Sequence, residues 1–174
     1  MKGFTLLEPW ASLIRARKKL VETRSWRPPE KIKGVPLLGE RLAIHAGKSR
    51  EAIDDGTADR LFALADRPLP GTWPLGCVVA TATLSGWMPA DKAVHDGKIS
   101  PLEINFGGYE AGRWALFLKD VVPIEPIPAR GALFFWELSP ELERSIVRAE
   151  EQERATDPPR CGGCGGCVDC RSTP

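Results

Sequence analysis

Turn-forming residues recur so closely along this chain that most of its regular segments must be short. Residues 27–39 are rich in Pro, Lys and Gly, residues 68–74 hold three prolines and a glycine, and residues 87–112 carry Pro101, Gly107, Gly108 and Gly112. Pro123, Pro126 and Pro128 punctuate a later stretch. Each of these reads as a loop. Between them, residues 3–7, 21–26, 41–46, 77–84, 113–119 and 132–138 have the length and alternation of strands. The clearest is 77–84, small and β-branched, with Thr81 and Thr83 alternating against Ala80, Ala82 and Leu84. Helical signals are fewer. Trp10, Leu13 and Ile14 share one face after Pro9, residues 48–67 read as two short helices around Asp54-Asp55-Gly56, and a charged helix is expected over about 140–154 with Ser139 as its N-cap. Many short strands and few helices predict an α+β fold, a small β-barrel with flanking helices rather than a doubly wound sheet.

The 174 residues suit one domain with decorations. The expected organisation is a domain over 1–139, a C-terminal helix over 140–156 and a flexible Gly/Cys-rich tail over 157–174. Residues 87–112 form a long loop for so small a domain, and such loops are commonly functional.

Charge narrows the function classes only by its distribution. A net charge of +1 gives no global field toward nucleic acid or anionic lipid. Residues 15–33, however, hold Arg15, Arg17, Lys18, Lys19, Arg24, Arg27, Lys31 and Lys33 against only Glu22 and Glu30. The acids gather at 51–59 and 137–153. A basic face for nucleic acid and an ordinary mixed-charge surface both fit. No apolar run approaches the ~20 residues of a membrane helix. The opening residues are too short and too lightly charged for a secretory signal. A cytoplasmic protein with no membrane partner is expected.

Cysteine usage is lopsided. Cys77 lies alone in an apolar run, whereas Cys161, Cys164, Cys167 and Cys170 fall within ten residues separated by Gly-rich spacers. Cys-x-x-Cys-x-x-Cys-x-x-Cys supplies four soft ligands, enough for Zn²⁺ or another soft metal. The other reading is an oxidisable tail appended to the domain. No cofactor is otherwise required, and neither His45 nor His95 has ligand spacing around it.

Three segments of the first third carry a resemblance: residues 7–14 (Leu-Glu-Pro-Trp-Ala-Ser-Leu-Ile), 19–26 (Lys-Leu-Val-Glu-Thr-Arg-Ser-Trp) and 39–46 (Gly-Glu-Arg-Leu-Ala-Ile-His-Ala). With residues 74–80, and Pro128-Ala129-Arg130-Gly131 leading to Trp136, they resemble the ASCH domain, a member of the PUA-like barrels, over roughly residues 3–138. The family's G-x-K-x-x-E-x-R hallmark is matched from Arg17 to Arg24 with Lys19, Glu22 and Arg24 in place and Arg17 where Gly is usual. The resemblance implies a PUA-like β-barrel with a cleft and a role with RNA or DNA. One branch hydrolyses the acetyl amide of N4-acetylcytidine, and a ribonuclease activity has been ascribed to the wider family. In the amidohydrolase branch the matching Lys activates a Thr that stands where this chain has Glu22, and a later Glu assists. A carboxylate there acts as general base for water instead.

The candidate nucleic-acid-binding residues are Lys19, Glu22, Arg24, Trp26, His45 and Lys48. Arg suits bidentate phosphate or guanine contact, Glu22 accepts from a base amino group, and Trp26 or Trp10 offers a stacking surface. Structural roles remain open: an internal ion pair for the charged triplet, core for the tryptophans, a hydrogen-bonded strand end for His45. A second acid comes from Glu103 or Glu110, undecided at this level.

Overall fold

The computed structural model describes residues 1–156. Eight strands and six helices follow one another in the order β1 (Lys2–Leu6), α1 (Trp10–Arg15), β2 (Val21–Arg24), β3 (Lys31–Ile32), β4 (Val35–Pro36), β5 (Arg41–Ala46), α2 (Glu51–Asp54), α3 (Thr57–Leu64), β6 (Cys77–Pro89), α4 (Ala90–His95), α5 (Pro101–Ile104), β7 (Trp114–Pro128), β8 (Phe135–Glu137) and α6 (Pro140–Thr156). Six strands form one sheet in the order β2-β7-β6-β5-β1-β8, curled into a half-barrel, while β3 and β4 make a separate ribbon within the loop expected over 27–39. The α+β architecture expected from the sequence is the one observed.

The sheet's inner face closes on Phe4, Leu6, Leu42, Ile44, Val79, Ala82, Leu84 and Leu116, with Ala11 and Ile14 of α1 packed across it. Full burial of side chains of this kind contributes about 1.5–3 kcal/mol each before entropic costs. β1 lies parallel to β5, pairing Lys2 with Leu42 through Leu6 with Ala46, and antiparallel to β8. Gly3 makes the β8 pairing possible. A Cβ at this position would come within 2.2 Å of the Trp136 ring, whose Nε1 donates to Thr5 Oγ1 at 3.1 Å.

Two expectations are corrected. β6 runs unbroken from Cys77 to Pro89, and β7 from Trp114 through all three prolines to Pro128. Prolines inside a long strand are tolerated here because β2 pairs only with Trp114–Phe117 of β7. After Leu118, whose N still donates to Leu20 O at 2.8 Å, the β2 ladder has ended, and the three prolines fall beyond it. The register shifts between β6 and β7 absorb the mismatch. The loop that remains, 90–113, is not structureless: it carries α4 and α5.

α6 starts at the expected cap, with Leu142 N donating to Ser139 Oγ at 3.3 Å. It lies back on the sheet through Ile146, which is buried with Ala43, Val78 and Ile124. Arg41 fastens it, donating to Glu150 Oε1 at 2.6 Å and to Thr81 Oγ1 at 2.6 Å. No helix among the described residues is long and apolar enough to cross a membrane.

Candidate nucleotide-binding cleft

The cleft is built where α1, β2, α3 and the segment after α5 meet. Its volume is about 430 Å³, and its lining includes Trp10, Glu22, Thr23, Arg24, Trp26, Arg60, Phe106 and Arg113. α1 is short, and no side chain of its N-cap residue closes its first turn. Glu8 does so instead: its buried carboxylate accepts from Ser12 N at 3.0 Å and Ser12 Oγ at 2.9 Å. Burial raises the Glu8 pKa, and the Ser12 hydrogen bonds only partly oppose that.

Lys19 braces Glu22 from outside the cleft's lining. The chain turns between α1 and β2 with Arg17 at φ 57°, and the Lys19 side chain is wholly buried. Its ammonium donates to Val21 O and lies 3.6 Å from Glu22 Oε2 and 3.7 Å from Glu103 Oε1. Glu103 is delivered by α5, whose N-cap Ser100 accepts from Glu103 N at 3.1 Å. Its two oxygens accept from Leu20 N at 2.9 Å and Val21 N at 3.1 Å. Burial pushes its pKa up, opposed by Lys19 and those two amides. Between Glu103 and Glu110 the geometry is unambiguous. Glu110 points to Arg113, with Oε1 3.7 Å from its Nε, and only Glu103 reaches Lys19.

Glu22 is therefore the one carboxylate that both lines the cleft and touches the lysine. On its other side it meets Arg24, with Oε1 3.3 Å from Nε. That contact is an ion pair off the hydrogen-bonding direction, and Arg24 Nε stays without a hydrogen-bond partner. The guanidinium is held by Thr5 O at 2.7 Å and by the face of Phe4, 4.8 Å from the ring centroid. Tyr109 stands behind the acids. Its hydroxyl is buried without a partner, and burial together with the charges of Glu103 and Glu22 pushes its pKa far up.

Gly107 and Gly108 form part of the far wall. A Cβ on Gly108 would approach Glu110 Oε2 to 2.7 Å, and one on Gly107 would meet Thr23 Oγ1 at 3.2 Å. Trp26 rests edge-on against Phe134 and Phe135, with centroids 5.1 and 5.6 Å away. Trp10, expected as core, packs against two core clusters and also lines the cleft.

Of the six expected binding residues, Glu22, Arg24 and Trp26 line the cleft and Lys19 lies outside its lining, against Glu22. His45 and Lys48 do not join them. His45 is buried, its Nε2 3.2 Å from Ala129 O and its ring edge-on to Trp136, and burial lowers its pKa. Lys48 lies along Gly76. Arg60, Asn105 and Arg113 line the cleft without having been singled out in the sequence. They come from separate elements and share no motif. Cys161, Cys164, Cys167 and Cys170 lie outside the described residues. Among those described, no group of three or more His, Cys, Asp or Glu is placed to hold a metal.

No protein-family model and no curated protein matches the chain. Solved structures do. The crystal structure of ASCH from Zymomonas mobilis aligns with a TM-score of 0.51 at 19% identity, covering 84% of this chain and 93% of that one. A Tyr-to-Phe variant of the same protein aligns at 0.50 with 21% identity, covering 84% and 96%.

Proposed function

We propose that this chain, which has the ASCH fold, binds RNA or DNA by taking one unstacked nucleotide into the cleft around Glu22. The observation that supports this most is the joint placement of three chemistries in one concave site of about 430 Å³: a braced carboxylate, two indoles and three guanidinium groups. Glu22 is an acceptor that a base amino group can satisfy. Trp10 and Trp26 offer stacking, worth about 1–3 kcal/mol per base. Arg24, Arg60 and Arg113 suit phosphate oxygens. Reading an exposed base edge by hydrogen bonds and stacking is how single-stranded segments are recognised.

Fluorescence anisotropy of labelled single- and double-stranded RNA and DNA tests the proposal, with Arg24→Ala and Arg60→Ala as the cleft variants. Salt-sensitive binding of single strands that weakens in both variants, with unchanged melting, is expected. No binding of any probe by the wild type overturns it.

A second reading, hydrolysis of a modified nucleoside, is favoured by one observation: Lys19 lies between two carboxylates, one of them with its pKa raised by burial. Both Glu103 oxygens are already engaged by backbone amides. Glu22 is left as the base that would take a proton from water. Release of acetate from N4-acetylcytidine, lost in Glu22→Gln, supports this reading; an intact substrate after prolonged incubation removes it.

A further inference from the structure

The basic run at 15–19 does not enter the cleft as a block. Only Lys19 turns inward; Arg15, Arg17 and Lys18 face a different depression, joined there by Arg67 and lined further by Phe62, Pro68 and Pro123. Its volume is about 690 Å³, and none of its lining residues is acidic. An adjoining hollow adds Ser12, Leu69 and Pro70, again with no acid. The cleft and the groove share the same pair of helices. α1 gives Trp10 to the cleft and Arg15 to the groove, and α3 gives Arg60 and Leu61 to the cleft and Phe62 to the groove.

The state of the cations differs between the two sites. In the cleft, Arg24 is paired with Glu22 and Arg113 faces Glu110, so Arg60 is the one lining cation without an ion pair among the described residues; Lys19, behind Glu22, is paired with Glu22 and Glu103. In the groove, Arg15, Lys18 and Arg67 form no ion pair among the described residues. Affinity for a polyanion comes from cations that replace condensed counterions, and cations already paired internally contribute less. The cleft alone is therefore well made to select a nucleotide and poorly made to hold a strand.

We propose that the groove carrying Arg15, Lys18 and Arg67 is a second, separate site that holds the phosphate backbone of the same nucleic-acid strand whose nucleotide enters the cleft. This rests on the cleft reading given above. Both sites draw residues from α1 and α3, so a strand of several nucleotides is the ligand that can reach from one to the other. The groove's floor of Pro and Phe offers no carboxylate to repel phosphate and few groups to read a base. It supplies grip without sequence preference, and the ligand is a strand of several nucleotides, not a free nucleoside.

The test uses the full chain, a trinucleotide, a ~20-nucleotide single strand and the double variant Lys18→Glu/Arg67→Glu, neither residue belonging to the cleft. The double variant is expected to bind the long strand at least about tenfold more weakly and to lower the salt slope by about 1.4, two contacts at ~0.7 each for single strands. Trinucleotide affinity and melting temperature should stay at the wild-type value. Unchanged long-strand affinity and slope overturn the proposal. So does an equal loss for the trinucleotide, which would mark a general field effect, and so does competition by polyglutamate as effective as by the strand. Failure of the cleft reading looks different: the long strand would bind through the groove while Arg24→Ala changed nothing. Wild type binding neither probe removes both.

Discussion

Lys19 is wholly buried against two carboxylates and a backbone carbonyl. Removing one partner of such a cluster leaves the others charged and unpaired, at a cost of about 3–5 kcal/mol. Lys19→Ala should therefore destabilise the domain by that order in chemical denaturation, and Lys19→Ala/Glu103→Gln by less than the single change. A loss below about 1 kcal/mol would show that the charge is solvated. Arg24 and Trp26, more exposed, are the better probes of binding. Glu8 makes the opposite prediction. Its folded pKa is raised above 4.5, so the folded state binds protons more readily than the unfolded one. Its unfavourable contribution is absent below about that pH and grows as pH rises through the folded value. Glu8→Gln keeps an acceptor for Ser12 without the charge. It should melt higher than wild type at neutral pH, with the difference closing towards pH 4.5; a difference independent of pH would refute the assignment.

At the scale of elements, α6 is the piece most dependent on charge. Only Ile146 of its residues is fully buried, while Arg41, Glu150, Arg154 and Asp120 form one connected network. Glu150 is partly desolvated, yet the hydrogen bonds from Arg41, Thr81 and Arg154 outweigh that and hold its pKa below 4.5; the Arg154 hydrogen bond does the same for Asp120. Carboxylates with lowered folded pKa stabilise above the unfolded value and cease to as pH falls through the folded one. α6 should thus lose amide protection below about pH 4 while β5, β6 and β7 keep theirs, and Glu150→Ala should bring that loss to neutral pH. Hydrogen exchange resolved along the chain distinguishes this from simultaneous loss throughout. β7 carries a lesson of its own. Its prolines signalled a loop, and what made them acceptable in a strand was the shortness of β2 beside it.

For the molecule as a whole, the half-barrel and its helices close their cores within residues 1–156. Deleting residues 157–174 should leave the melting temperature within about 2 °C, a shift of about 0.5–1 kcal/mol at most for a domain of this size. A larger drop would show that the Cys-rich segment contributes to the fold. The cleft, in contrast, exists only when distant segments are assembled: β2 brings Glu22 and Arg24, α5 brings Glu103, α3 brings Arg60, and the start of β7 is preceded by Arg113.

Local pattern was enough for the strand at 41–46, for β1 to within one residue (3–7 expected, Lys2–Leu6 observed), for the first part of β6, for the Ser139-capped helix and for the α+β class, because alternation and capping act between near neighbours. The Lys19, Glu22, Arg24 spacing likewise marked the cleft's centre, since three residues on one turn and strand stay together however the rest packs. Tertiary structure alone decided the remainder. It chose Glu103 over Glu110, took His45 and Lys48 out of the cleft, and carried β6 and β7 through stretches that read as loops. It also separated Lys19 from the basic residues next to it. Each of these depends on which surface a side chain meets after the chain has turned back on itself, and that information lies in contacts between residues far apart in the sequence.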